Sequence, residues 1–303
     1  LKNIKDVFQE AQLNNIELLC LPELCITGYG CEDMFLSTWL CETAQAKLIE
    51  LLPFTSGLTT SLGLPVRFEG QIYNCIAIIE DKKILGVYAK HNLANNGIHY
   101  EKRWFSSWPY HKTETLNIAS QPIQIGAISL EIKNIKIGFE ICEDAWQEDR
   151  PANHLAIQGI ELILNPSASH FAFEKEKYRE QLVVSSSKKF NCTYLYTNLL
   201  GNEAGRMIYD GDILIAQNGN LIGHNTRFSF KPFNILYCEV DFDSQTSSIN
   251  IKKDYTNKLE EMSQALPLAL FDYLIKSKNK GFVLSLSGGA DSSIIAIMVR
   301  RMV

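Results

Sequence analysis

Three residues of different chemical type stand at the ends of three separate apolar runs: Glu23 in LCLPELCITGY, Lys90 in GVYAKHNLANNG and Cys142 in IKIGFEICEDAW. Strand ends at sharp turns are where a scaffold presents reactive groups. Each residue alone has a plainer reading: Cys142 as small core filler, Glu23 as a helix cap or solvated acid, Lys90 as a surface ammonium. Together they make a set that can cleave an amide. A thiol must shed its proton to attack a carbonyl carbon, a carboxylate within reach can take that proton, and a nearby cation favours the thiolate and the oxyanion that follows. The other cysteines, at 20, 25, 31, 41, 75, 192 and 238, lack such company and read as filler.

A second signal is SLSGGADSS at 285–293, between the apolar FVL and an apolar helical stretch. It lacks the lysine of a Walker loop and is not GxGxxG. Glycines let backbone N–H groups approach phosphate, a helix N-terminus adds positive potential, and serine hydroxyls donate hydrogen bonds. A turn in which Asp291 or Ser292 caps the helix is the plainer reading. It explains a cap, but not two glycines set among four serines.

The elements that must position these groups are legible as patterns. Ile4, Val7, Phe8 and Ala11 recur at helical spacing in the opening LKNIKDVFQEAQLNNIE, which predicts a helix feeding the buried strand LLCLPE. IYNCIAIIE, KILGVYAK, IKIGFEIC, ELILNPSAS, TYLYTNLL and DILIAQNGNLIG predict strands, with helices over NHLAIQGI and KEKYREQLVVSSSKKF. QNGN at 217–220 predicts a tight hairpin, and ILYCEVDFD a last strand. Near Ser244 the composition turns polar, and a helix is predicted from about Leu259 to Ser277, so a domain boundary is placed close to residue 245. Residues 246–303 then comprise a linker, that helix, the strand FVL, the glycine loop and a final helix. One βα unit cannot bury both its faces, so this second domain is expected to continue downstream.

Bulk properties exclude several classes. With 303 residues, 46% hydrophobic and 21% charged, the chain has the make-up of a globular mixed α/β protein. A formal net charge of -5 gives no basic footprint for nucleic acid. Apolar stretches such as 16–25 are too short, and too interrupted by charge, to span a membrane. Scattered cysteines without CxxC pairs fit reduced thiols in a cytoplasm, and the first residues lack the features of a signal peptide, so the chain is expected to start inside a domain.

The order and local signatures of Glu23, Lys90 and Cys142, with the later NPSASHF and YDGDILI, resemble the nitrilase superfamily over roughly the first 245 residues. That resemblance implies a four-layer αββα sandwich, with Glu23 as base, Cys142 as nucleophile, and Lys90 with the backbone N–H after Cys142 as oxyanion donors. It also implies a second acid, matched by Glu101, that orients Lys90. By similarity to the glutaminase branch, Ser169 and Lys175 would hold the amino-acid end of glutamine and Glu143 would meet its ammonium; a charged helix face is the plainer reading of Lys175 and Glu174. The segment after the lysine is LANNG where many members read LPNY, so Asn96 stands where relatives have a substrate-contacting tyrosine.

The loop Ser285, Leu286, Ser287, Gly288, Gly289, Asp291, Ser292, Ser293 resembles the SGGxDS loop of ATP pyrophosphatases, which open a Rossmann-like domain. A glutaminase fused to such a domain in this order resembles the glutamine-dependent NAD synthetases, and LANNG their longer, eukaryote-like branch. The resemblance implies that ATP and Mg2+ serve the complete synthetase domain, with no metal or cofactor in the glutaminase half. Nicotinic acid adenine dinucleotide would be adenylated and then amidated by ammonia from glutamine, in a homo-oligomer. A stand-alone nitrilase-type amidase or carbamoylase, and a pseudo-amidase scaffold, are the alternatives. The first would not bind ATP, and in the second Cys142 would not react with a glutamine-like electrophile.

Overall fold

The computed structural model describes residues 1–242, 251–253 and 255–302. Amphipathic patterning sets the layers. Ile4, Val7, Phe8 and Ala11 form the buried stripe of α1 (Lys2–Leu13), and Leu40, Cys41, Ala44, Leu48 and Leu51 that of α2 (Thr38–Leu51). Beneath them lies a sheet of β1 (Leu18–Cys20), β2 (Thr59–Phe68), β3 (Gln71–Glu80), β4 (Lys83–Ala89), β5 (Thr113–Ile118) and β6 (Gln121–Gly126), in the order β1-β2-β3-β4-β6-β5. A single helical turn, α3 (Glu101–Trp104), interrupts the path from β4 to β5.

The second sheet contains β7 (Leu130–Ile132), β8 (Ile135–Phe139), β9 (Leu162–Ser167), β10 (Thr193–Asn198), β13 (Ile213–Gln217) and β14 (Asn220–His224), ordered β14-β13-β10-β9-β8-β7. A separate ribbon pairs β11 (Leu200–Glu203) with β12 (Met207–Asp210). On the outer face of the second sheet, α4 (Pro151–Ile157) and α5 (Lys175–Phe190) pack Ala152, Leu155, Val183 and Phe190 against Ile163, Tyr194 and Leu214.

Alternation along β3 shows how the layers interlock. Cys75, Ala77 and Ile79 meet the α1/α2 layer, whereas Ile76 and Ile78 meet Ile137, Phe139, Leu162 and Leu164 of the other sheet. A strand covered on both faces reads as a near-continuous apolar run, as IYNCIAIIE does. The result is the αββα sandwich that the resemblance implies. Burying a side chain such as Phe8 or Phe139 contributes roughly 1.5–3 kcal/mol each, so the core between the layers outweighs any single surface contact.

The expected hairpin forms at β13 and β14: Gln217 pairs with Asn220, and Asn218 and Gly219 between them take φ of 50° and 89°. Both central residues are left-handed, as a two-residue turn matched to strand twist requires. Two expected strands do not form. Residues 235–242 of ILYCEVDFD are irregular, because this segment straps the sandwich through side chains instead of a ladder. Ile235 joins the core under α1, Tyr237 Oη donates to Glu10 (2.9 Å), and Gln217 Nε2 donates to the Asp241 carbonyl (2.7 Å). The FVL stretch at 282–284 is also not a strand: Val283 is fully exposed, and among the described residues no strand runs beside it to satisfy its backbone.

The expected domain boundary near residue 245 lies outside the described residues. Beyond it, α6 (Lys258–Lys276) starts at Asn257, whose Oδ1 accepts from the Glu260 N–H (3.0 Å), and packs Ala265 and Leu268 on Phe228. A buried ion network fastens this region to the sandwich. Arg227 bonds Glu261 of α6 (2.8 Å), Glu176 of α5 and Asp210 (3.3 Å); Lys253 pairs with Glu176 (2.7 Å) and Asp212 (3.3 Å). The last helix is α7 (Ala290–Met302). Among the described residues no helix is long and apolar enough to cross a membrane.

Candidate active site

Both sheets send strand ends to one place. Glu23 follows β1 and Lys90 follows β4 in the first sheet; Cys142 follows β8 and Ala168 follows β9 in the second. The junction is made by hydrogen bonds: Glu23 Oε2 accepts from the Ala168 backbone N–H (2.7 Å), while Oε1 accepts from Lys90 Nζ (2.7 Å) and Asn74 Nδ2 (2.6 Å). Lys90 Nζ also donates to Glu101 Oε1 (2.8 Å), and Glu101 Oε2 accepts from the Ala94 N–H (2.9 Å). Glu23, Lys90 and Glu101 are all 0% exposed. The structure thus brings the three expected charged residues into direct contact.

Close packing allows this. A Cβ built on Gly63 of β2 would lie 2.2 Å from the Leu24 nitrogen and 2.9 Å from the Glu23 carbonyl carbon, so only glycine lets β2 run beneath the turn that carries the acid. Gly63→Ala is therefore expected to cost about 1–3 kcal/mol through overpacking, read as a lowered melting temperature. An unchanged melt would show that the turn can lift off β2 freely.

Cys142 is buried at 7% exposure and has φ of 44°, a left-handed conformation unusual for a residue with a Cβ. It opens a short 3-10 turn, Cys142–Trp146. That geometry resembles an elbow, in which strain at the nucleophile is held by the surrounding structure. Asp144 does much of the holding. Its Oδ1 accepts from the backbone N–H groups of His91 (3.2 Å) and Asn92 (2.7 Å), and its Oδ2 from that of Ile141 (2.9 Å). One buried carboxylate thereby bolts the cysteine turn to the end of the lysine strand. Burial pushes its carboxyl up to about 7, against the pull of the Ile141 and Asn92 N–H groups.

The electrostatics suit a thiol that stays protonated until needed. Burial, then the Glu23 charge, pushes the Cys142 thiol up to about 12, while Lys90 pulls the other way. Burial also raises the Glu23 carboxyl, with Lys90 opposing, which makes it a stronger base than a solvated glutamate. For Lys90, burial favours loss of the proton, but Glu101 and Glu23 outweigh it and hold the ammonium charged. The Ala168 N–H, which donates to Glu23, also acts weakly to lower the Cys142 thiol, behind burial, Glu23 and Lys90.

The expected substrate contacts gather at one side. Lys175, at the start of α5, has its Nζ 3.2 Å from the His170 carbonyl oxygen and no carboxylate partner among the described residues. Burial, then Arg179, brings its pKa down to about 8. A half-buried ammonium without a carboxylate beside it is suited to receive an anion. Its charge and that of Lys90 both reach Glu143, whose half-buried carboxyl is raised by burial and accepts from Gln147 (2.6 Å). Ser169 is buried, its backbone N–H donating to Asn198 Oδ1 (2.8 Å) and its carbonyl accepting from Arg179 (2.8 Å). Asn96 sits on an exposed loop.

The glycine-loop residues Ser285, Leu286, Ser287, Gly288, Gly289, Asp291, Ser292 and Ser293 lie in the exposed segment that opens α7. Gly288 takes φ of 82°; Ser287 Oγ lies 3.2 Å from Ser292 Oγ, and Ser293 Oγ donates to the Gly289 carbonyl (2.8 Å). These contacts lie within the loop and do not reach the thiol site.

Asn74, Asp144 and Ala168 were not singled out from sequence. A polar Asn74 within the apolar IYNCIAIIE was the one available signal, since a buried polar group in a strand needs a partner. Asp144 and Ala168 act through backbone N–H groups, which no residue pattern records.

A four-layer αββα sandwich that gathers a thiol, a carboxylate and an ammonium at the ends of its strands defines the architecture of a thiol-type amide hydrolase. The chain belongs to the carbon-nitrogen hydrolase family, whose description matches residues 1–249. Beyond that family, it is similar to glutamine-dependent NAD(+) synthetases. It is 30% identical to the one from Arabidopsis thaliana, over 99% of this chain and 48% of that protein. A crystal structure of a glutamine-dependent NAD(+) synthetase from Cytophaga hutchinsonii shares 49% identity and a TM-score of 0.88, covering 99% of this chain and 48% of that one. The enzyme from Acinetobacter baumannii, solved with adenosine diphosphate, shares 26% identity and a TM-score of 0.85, over 100% of this chain and 54% of that one. The chain spans about half the length of the curated relatives it matches.

Proposed function

We propose that the sandwich hydrolyses glutamine and that the chain forms the ammonia-producing part of a glutamine-dependent NAD synthetase. The observation that carries this reading is Lys90 held between Glu23 and Glu101 beside a buried thiol. Glutamine docks its carboxylate on Lys175, near Ser169, and its ammonium toward Glu143. Glu23 takes the Cys142 proton as sulfur attacks the amide carbon. Two Lys90 N–H groups serve carboxylates, which leaves the third, with the Glu143 N–H, for the oxyanion. Glu23 returns the proton to departing ammonia, and a thioester remains on Cys142. Water, deprotonated by Glu23, attacks the thioester; glutamate leaves and the thiol is restored.

By the same reading, residues from about 246 onward begin the domain that binds ATP through Ser287, Gly288, Gly289 and Asp291. With Mg2+, that domain adenylates nicotinic acid adenine dinucleotide, and ammonia displaces AMP to give NAD. The similarity to a relative solved with adenosine diphosphate supports nucleotide binding by that part. The test is covalent labelling by a diazoketone analogue of glutamine, located by peptide mass spectrometry. Labelling of Cys142, slowed by glutamine, is expected. Label on another of the eight cysteines, or no protection by glutamine, would overturn the reading.

A further inference from the structure

Three side chains that the amide chemistry does not use form a continuous path from Glu101, the partner of Lys90, to the amino-acid end of the site. Tyr29 Oη lies 2.9 Å from Glu101 Oε1 and 3.0 Å from His99 Nδ1, and His99 Nε2 lies 2.8 Å from His170 Nδ1. His99 belongs to the loop between Lys90 and Glu101, and His170 follows β9, so the path crosses from the loops of one sheet to those of the other.

Proton positions follow from the ends of the path. A carboxylate only accepts, so the one Tyr29 proton goes to Glu101 and the phenol oxygen accepts from His99 Nδ1–H. Neutral His99 then has a bare Nε2, which accepts from His170 Nδ1–H. Lys175 Nζ, 3.5 Å from that Nδ1 and 3.2 Å from the His170 carbonyl oxygen, donates to the carbonyl. Both rings must be neutral for this order. Burial brings His99 down to about 4 and His170 to about 3, and the Lys175 charge acts in the same direction on each.

We propose that His99 and His170 are positioning residues that tie the carboxylate receptor Lys175 to Glu101, and through it to Lys90, so that amides bearing an amino-acid end are turned over in preference to amides lacking one. This rests on the glutamine reading above. A substrate carboxylate draws the Lys175 ammonium away from the His170 carbonyl, and the change in His170 is passed through His99 and Tyr29 to the acid that orients Lys90. Only a substrate with that end produces the change, so it contributes to discrimination in kcat/KM and not to amide cleavage in general.

The experiment compares glutamine with butanamide, which keeps the amide and its methylene arm but lacks the ammonium and carboxylate. In the complete protein, His99→Phe is expected to lower kcat/KM for glutamine about 10-fold, the scale of one lost hydrogen bond, and to leave that for butanamide unchanged. His99→Gln, which offers both a donor and an acceptor, should recover part of the ratio. If His99→Phe does not fold by its melting curve, His170→Asn is read in the same way. Equal losses on both amides, or an unchanged ratio, would overturn the proposal. A wild-type ratio near one would instead sink the glutamine reading itself.

Discussion

Cys142→Ala in the complete protein is expected to lose NAD synthesis from glutamine and keep it from ammonium chloride. The proposed division of labour requires this, because the thiol serves only to release ammonia, whereas adenylation and amide formation belong to the nucleotide domain. The substitution should leave the fold intact, since the cysteine turn is held chiefly by Asp144 through the backbone of His91, Asn92 and Ile141. Ser287→Ala or Asp291→Ala should remove synthesis from both nitrogen sources, because the activated intermediate never forms. The decisive measurement is NAD formed by Cys142→Ala with each source. Equal loss with both would mean that the thiol does more than supply ammonia.

Glu23→Gln should lower glutamine hydrolysis by roughly 10²–10⁴-fold, the usual contribution of a positioned general base. Its two oxygens accept three hydrogen bonds, from Lys90, Asn74 and Ala168, and a glutamine amide must turn its NH2 toward at least one of those donors. Some of the loss will therefore come from displaced donors. A second signature separates the base from the geometry. The Glu23 charge helps to hold the Cys142 thiol protonated, so its removal should let the thiol ionise at lower pH. Alkylation of Cys142 by iodoacetamide should then extend to lower pH in the variant even as hydrolysis collapses. Alkylation that moved to higher pH, or a near-normal turnover, would place the base elsewhere, first at Glu101.

Glu23, Lys90 and Cys142 could be picked out because each ends an apolar run, and an apolar run with a reactive terminus is a local signal. The hairpin at Asn218 and Gly219 was equally local, since both positions need left-handed backbone that asparagine and glycine supply. Failures came where non-local pairing decides. ILYCEVDFD alternates like a strand, but an extended segment becomes one only beside an accepting edge, and here the Tyr237 hydroxyl found Glu10 of α1 while the Asp241 carbonyl found the Gln217 side chain of β13 instead. FVL has strand composition and no neighbour among the described residues. Asp144 reads in sequence as one more acid after the cysteine. Its role exists only because the chain returns at His91 and Asn92, some fifty residues earlier, to offer it two N–H groups.

The buried ion network also bears on where the molecule can be divided. Composition places a seam near residue 245, yet Lys253 and Glu261 on the far side neutralise Glu176, Asp212 and Arg227 on the near side. Breaking a buried charge pair by removing one member typically costs about 3–5 kcal/mol. A fragment cut at the compositional seam would strand several such charges at once, whereas one that runs through α6 keeps them matched. The modular unit defined by electrostatics is therefore longer than the one defined by sequence.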